Sequence, residues 1–430
     1  MSAVLDLAKR IVNSRLTLWV AFIAVHLWLE FLNLYGPGYP LGDVSAIYPF
    51  WVEQSVVSNT IVGIDTPWVY PIVALVPMIF ASVFGSAVYS STWLTMILLL
   101  DAVALVFLTG FRRDRGTTGP AWWWVAFLLL LGPIALGRID SVTVPLALVG
   151  MVLLANHPRA AAIVLALATW IKIWPAALLA AIVIATRARS RVAIAAATTS
   201  LVIVVVALLL GSGANVVSFI TQQTGRELQI EAPISTPFLW MIAAGSPGMV
   251  LYYDTQIFTY QVTGPGTAIA AALMTPLLAI AALVIAGLGV LAIRRGARPN
   301  ELLAPLSLAL VTALIVFNKV GSPQFIGWLA VPVLLGLVGA VRGGPSFRTP
   351  AILSLVIAAL TQAIYPFLYS YLVSVHPVML IAITSRNLLL IALLAWAVRR
   401  VVRLARSHFA SDDDRELDVT PTGPRAWPLV

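Results

Sequence analysis

Apolar runs set the rhythm of this chain, and polar residues mostly mark where one run ends and the next begins. A helix needs about 20 largely apolar residues to cross a bilayer. The first run, roughly Leu16 to Tyr35, meets that length, and a second, about Val88 to Phe111, ends on Arg112-Arg113-Asp114-Arg115. Runs near 120–136 and 141–156 form a hairpin with Gly137-Arg138-Ile139-Asp140 at its tip, and Asn156-His157-Pro158-Arg159 makes the next turn. A shorter pair, about 160–171 and 173–187, turns at Lys172. Further runs cover 192–211, a stretch ending at Arg294, and the pairs 301–317 with 324–341 and 350–370 with 379–398. The pattern predicts an all-α polytopic membrane protein of about twelve transmembrane helices.

Two segments interrupt the rhythm. Residues 36–87 and 212–266 are long, broken by Gly and Pro, and rich in aromatic and polar side chains. Within the first, Val69 to Phe84 is apolar but short and holds Pro71 and Pro77, so it predicts a re-entrant or interface-lying helix rather than a crossing. Residues 1–398 then make one membrane domain, and 399–430 a disordered cytoplasmic tail that turns acidic at Asp412-Asp413-Asp414. No internal repeat is visible.

Composition agrees with the pattern. Of 430 residues, 60% are hydrophobic and 10% charged, against roughly 25% charged in soluble domains. The net charge of +9 does not point to nucleic acid, because most arginines stand at the ends of apolar runs as topology signals. There is no cysteine, which removes disulfides and thiolate metal sites. The first run is longer than a signal-peptide core and lacks a small-residue cleavage site, so it is expected to stay as an anchor. Lys9, Arg10 and Arg15 before it predict a cytoplasmic N-terminus, and twelve crossings return the C-terminus to the same side of the plasma (inner) membrane.

That orientation isolates five basic residues on the outer side: Arg138, Lys172, Arg226, Lys319 and Arg386. Each is solitary and opposes the orientation signal, so an anion at the outer leaflet is the expected reason for it. Asp43, in Gly42-Asp43 just past the first run, is the acid placed to do chemistry, since acids beside a bilayer are costly. Its plainer reading is an N-cap for a helix starting near Val44. Asp65 precedes Thr66-Pro67 and reads also as a turn residue, and Asp140 as a mere partner of Arg138. Lys172 and Lys319 also read as snorkelling side chains. Asp101 lies mid-span and is expected to pair within the bundle. Trp122-Trp123-Trp124 reads as an interfacial belt. Tyr48, Phe50 and Trp51 read as surface packing or as sugar-stacking groups, and His376 as a loop residue or an orienting group. Outside the acidic tail no Asp-x-Asp pair occurs, and there is no helically spaced His pair or Gly-rich phosphate loop, so the expectation is no metal.

In its order of motifs the chain resembles the multispanning GT-C glycosyltransferases that use polyprenyl-phosphate sugars, and most of all glycosyltransferase family 87, which includes actinobacterial mannosyltransferases. The strings that carry the resemblance are Gly42-Asp43, Trp68-Val69-Tyr70-Pro71, Gly137-Arg138-Ile139-Asp140, Trp170-Ile171-Lys172-Ile173-Trp174-Pro175, and Ser322-Pro323-Gln324-Phe325 with Trp328. Two depart from the family pattern. An aromatic-Tyr-Pro-Pro string appears as Val69-Tyr70-Pro71-Ile72, and a Gly-Gln pair as Gly137-Arg138.

The resemblance implies a GT-C bundle and an inverting transfer of a sugar, mannose first among the candidates. The donor is a polyprenyl phosphate and the acceptor an envelope glycolipid or lipoglycan at the outer face. It implies Asp43 as general base, and Lys172, Lys319, Arg138, Arg386 and Arg226 as donor-phosphate partners. Tyr48, Asp65, Trp68, Tyr70, Gln324 and His376 are implied as sugar or acceptor contacts. No cofactor is implied, because the lipid-linked sugar is itself a substrate. The rival reading is a transporter or flippase of lipid-linked sugars, which inverted repeats and midplane charges would favour.

Overall fold

The computed structural model describes residues 14–110, 118–222, 226–255 and 257–407. Lys9 and Arg10, the Arg112-Arg113-Asp114-Arg115 run and the acidic tail lie outside the described residues. Among the described residues, nine helices are long and apolar enough to cross a membrane: Arg15–Tyr35, Ser86–Thr109, Thr118–Ala135, Arg189–Leu209, Thr267–Arg294, Pro299–Val316, Pro323–Val341, Arg348–Phe367 and Pro377–Arg406. Three shorter apolar helices, Asp140–Leu153, Pro158–Ile171 and Ala176–Ala185, fall between the third and fourth of these.

In chain order the α-helices are α1 (Arg15–Tyr35), α2 (Tyr48–Val57), α3 (Leu75–Ala81), α4 (Tyr89–Thr109), α5 (Thr118–Leu131), α6 (Asp140–Leu153), α7 (Pro158–Ile171), α8 (Ala176–Ala185), α9 (Arg189–Leu209), α10 (Ser218–Thr221), α11 (Thr236–Ala243), α12 (Thr267–Arg294), α13 (Pro299–Val316), α14 (Ala330–Val341), α15 (Arg348–Gln362), α16 (Tyr369–Val373) and α17 (Pro377–Arg406). The chain enters α13 through Pro299, whose fixed φ and missing N–H suit a first helical turn. That helix is apolar all round and buried along nearly its whole length, packed among α8, α12, α14 and α17. By contrast α9 and α12 turn most of their Leu, Ile and Val side chains outward, as a lipid-facing surface must.

The expected short helix after Tyr70 exists as α3, a seven-residue helix led by a 3₁₀ turn at Ile72–Ala74 and too short to cross. Trp122-Trp123-Trp124 departs from the expected belt. Trp124 is fully buried beside Phe22 of α1 and Trp123 donates from Nε1 to the Ala351 carbonyl of α15 (3.1 Å), so these two serve packing between helices. The last helix continues to Arg406, past the boundary expected at 398.

The second long loop is not all-α. It carries an antiparallel three-stranded sheet, β1 (Leu228–Gln229), β2 (Val250–Asp254) and β3 (Thr259–Thr263), in the order β1-β3-β2 with Leu228 opposite Val262 and Asp254 opposite Thr259. Aromatic and β-branched residues fill β2 and β3, which suits a half-buried ribbon. Ile230, Leu239 and Val262 bury themselves with Ile364, Leu380 and Ile383, docking the loop on the start of α17.

This loop also meets the turn before residue 323. The Gln229 N–H donates to the Lys319 carbonyl (3.0 Å), and Gly321 lies against the backbone of Glu231 and Ala232 so closely that a Cβ would overlap it. Gly321→Ala is therefore expected to cost about 1–3 kcal/mol or more, because backbone, unlike a flexible side chain, cannot give way. A lowered thermal midpoint in detergent is the check.

Candidate active site

Asp43 begins a helical segment, Asp43–Ile47, that runs without a break into α2. Its side chain caps nothing; Gly42 holds the N-cap position. Instead its Oδ2 lies 3.2 Å from Nε of Arg138, which arrives from the tip between α5 and α6. The guanidinium is used on several sides. Nη1 donates to the carbonyls of Pro40 (2.6 Å) and Gly137 (2.7 Å), and Nη2 donates to the Tyr365 hydroxyl (2.9 Å). Burial pulls this guanidinium downward, but the Asp43 carboxylate and the Tyr365 phenol outweigh it and hold it above its ordinary value. The departure at Gly137-Arg138 thus has a structural meaning: the arginine holds the acid.

A second ion pair lies alongside. Lys172, at the end of α7, has its Nζ 3.9 Å from Oδ2 of Asp140, whose Oδ1 accepts from Trp328 Nε1 (2.7 Å). The Trp170–Pro175 and Ser322–Trp328 strings meet here. Trp174 stacks on Trp328, Phe325 stacks on Trp328, and Trp174 Nε1 donates to Thr143 Oγ1 (2.9 Å). Asp140 therefore pairs with Lys172, not with Arg138. Arg138 lies in the bend before the helix and turns to Asp43, while Asp140 opens α6 and faces Lys172.

Tyr70 bridges the pairs. Lys172 Nζ sits 4.5 Å from the centre of its ring, a cation–π contact, and the ring stands edge-on to Tyr48, centres 6.5 Å apart. Tyr48 is buried, and its oxygen accepts from the Ile139 N–H (3.0 Å). Burial, followed by the neighbouring acids, raises the Tyr70 phenol, so it stays a hydrogen-bond donor near neutral pH. Trp68 and Trp51 complete this wall edge-on, with Trp68 fixed through its backbone by Ser218 Oγ (2.8 Å).

Two more cations stand within electrostatic reach. Lys172 and Lys319 both feel the positive charge of Arg226, whose Nε is buried with no hydrogen-bond partner among the described residues. Burial, then this like-charge neighbour, lowers Lys319; for Lys172 burial and Arg226 lower it more than Asp140 raises it. Cations arranged to repel one another in a half-buried site make a place for an anion.

The remaining residues fall elsewhere. Arg386, on α17, is held by Glu231: Nη1 donates to Oε2 (2.8 Å) and Nη2 to the Glu231 carbonyl (2.5 Å), while Asn387 Oδ1 accepts from the same guanidinium. Glu231 is the partner that sequence reasoning missed; its position among apolar residues of the loop was the available signal. Asp65 is exposed and accepts the Ile61 N–H (2.7 Å), as a turn residue does. His376 precedes α17, exposed, edge-on to Tyr371, and apart from the cluster. Gln324 lines an internal cavity together with Asp140 and Asp101. Asp101 has its expected partner, His26, whose Nε2 lies 3.0 Å from Oδ2.

The family model for glycosyltransferase family 87 matches residues 68–317, more than half of the chain. The chain belongs to glycosyltransferase family 87. No curated protein matches it. The matched span of the family 87 domain contains Arg138, Asp140, Lys172, Arg226 and Glu231, while Asp43, Lys319 and Arg386 flank it. With nine candidate spans among the described residues, the protein is a multi-pass membrane glycosyltransferase, and membership displaces the transporter reading.

Proposed function

We propose that this family 87 enzyme moves a sugar, mannose first among candidates, from polyprenyl phosphate to a glycolipid or lipoglycan acceptor, with inversion, at the outer face of the plasma membrane. The observation that carries the reading is one carboxylate, Asp43, held by Arg138 beside the cation group of Lys172, Arg226 and Lys319. Counting the three short helices gives twelve crossings. All the site residues then fall at one end of the bundle, with both termini at the cytoplasmic end.

The transfer is a single displacement. The acceptor oxygen forms a bond to the anomeric carbon as the bond from that carbon to phosphate oxygen breaks. The acceptor proton goes to Asp43, and polyprenyl phosphate leaves with the bonding electrons. A carboxylate within reach of the hydroxyl is a competent base. The leaving phosphate needs no proton, only cations in a water-poor site, which Lys172, Arg226 and Lys319 supply. Arg138 and Arg386 are committed to protein oxygens; we read the first as positioning the base and the second as a strut.

Transfer of label from radiolabelled polyprenyl-phosphate mannose to extracted envelope lipids, by full-length protein in detergent, tests the reading. Product with the lipid-linked donor and none with a nucleotide sugar is expected. Failure of well-folded enzyme with every lipid-linked hexose and pentose would sink it.

The lowered Lys172 gives a pH signature. Its ammonium form is lost below the ordinary lysine value of 10.5, so donor KM is expected to rise as pH increases through that depressed value. In Lys172→Arg, whose charge persists across this range, the rise should disappear. A flat wild-type profile of donor KM against pH would detach Lys172 from the phosphate.

A further inference from the structure

An open groove of about 570 Å³ runs beside the turn that leads into Asp43, between the end of α1, residues 36–42 and the first turn of α4. We propose that it seats an uncharged saccharide headgroup, the acceptor end of the reaction, with its lipid tail lying along α1. The inference rests on the transferase reading given above. It concerns residues outside the Arg138–Lys172 constellation.

Chemistry selects the occupant. The groove is lined by Asn33, Tyr35, Tyr39, Ser45 and Ser90, with glycines and apolar residues between them, and no charged side chain is among its lining. A phosphate-bearing donor would find no counter-charge there, whereas the cations of the site gather around Tyr70 and Arg226. Amide, hydroxyl and phenol groups both donate and accept, which matches the hydroxyls of a neutral sugar. The volume lies within the range of small-ligand sites, roughly 300–1,000 Å³.

Geometry ties the groove to the base. Ser45 lies two residues beyond Asp43 on the same helical segment, and Leu41 and Gly42 line the groove immediately before it. Tyr39 holds φ at 50°, a conformation rare for a residue with a side chain, while the residue stays 87% exposed. Strain of this kind at a turn carrying an exposed aromatic marks a site where position matters. The turn cannot drift. Arg138 binds the Pro40 carbonyl with the same guanidinium that holds Asp43, the Gly42 N–H donates to the Tyr39 carbonyl (3.0 Å), and Gly38 is pressed against Pro366.

A path for the tail continues from the rim. Trp28, Phe31 and Tyr35 make one exposed aromatic stripe on α1, with ring centres 5.9 and 5.4 Å apart, rising to the groove. Such a stripe offers an acyl chain a continuous apolar surface while the headgroup rests on the turn that leads into Asp43.

Saturation-transfer NMR on the full-length protein in micelles tests this directly, using neutral manno-, gluco- and arabino-oligosaccharides as probes. At least one should receive saturation from the wild type. The signal should vanish in Ser45→Trp, which fills the groove, and weaken in Tyr39→Asn, which keeps a residue tolerant of positive φ. Inorganic phosphate should not displace it. No transfer to any probe, or a signal unchanged in both variants, overturns the groove. In the transferase assay, Ser45→Trp should raise acceptor KM by about tenfold or more with donor KM unchanged. A rise in donor KM instead would overturn the assignment. Saturation transfer without sugar transfer from any lipid-phosphate donor would leave the groove standing and remove the donor reading.

Discussion

Asp43→Asn, folded like the wild type, is expected to transfer sugar about 10²–10⁴-fold more slowly, the usual worth of a general base. The substitution is close to isosteric. An amide oxygen can still accept from Arg138 Nε, so the loop geometry of 3.2 Å contact need not change, and only the ability to take a proton is lost. The deficit should therefore fall on kcat, with KM for donor and acceptor little altered. Arg138→Lys should show a related but different fault. A lysine ammonium cannot reach Asp43, the Pro40 and Gly137 carbonyls and Tyr365 together, so the base is misplaced, not missing. Full activity in Asp43→Asn would take this acid out of the chemistry. It would leave Asp140, the carboxylate beside Lys172, as the next to replace.

The second large effect concerns the Glu231–Arg386 pair. Both partners are buried, so Glu231→Met alone leaves an arginine without its counter-charge and is expected to destabilise the protein by about 3–5 kcal/mol. Thermal unfolding in detergent gives the measurement. The double variant Glu231→Met with Arg386→Met replaces the pair by apolar side chains, and stability should largely return. Activity then decides between two roles. As a strut, Arg386 is dispensable once the loop is held by packing, and transfer recovers with stability. As a phosphate partner it is not, and the double variant would stay inactive though folded.

Much of the bundle was legible because hydropathy is a strong signal. Runs such as 192–211 and 350–370 announce themselves by length alone, and the short pair at 160–171 and 173–187 appears as α7 and α8 near the expected boundaries. The sheet was not found, although Val250–Asp254 and Thr259–Thr263 are rich in aromatic and β-branched residues. Five-residue strands carry too little periodicity to stand out beside twenty-residue apolar runs. Within the site, opposition to the orientation signal did single out Arg138, Lys172 and Arg226, which the fold brings to one cluster with Asp43. The pairing itself was not legible. Asp43 meets an arginine 95 positions later, Asp101 meets His26 from 75 positions away, and nothing local encodes either. Charge solitude tells which residues need a partner, and the tertiary fold alone tells which partner they get.

The tie between Glu231 and Arg386 also has a temporal side. The partners are 155 positions apart, and a ribosome adds roughly 5–20 residues per second, so on the order of 8–30 s of synthesis separates them. During that interval the loop's sheet can form while its glutamate waits. Only insertion of α17 delivers the arginine that ties the loop down. A nascent chain cut short before residue 377 would carry every residue matched by the family 87 model and still lack its latch, exposing an incompletely docked loop to membrane proteases. Arrival of α17 thus completes the docking of a loop translated long before it.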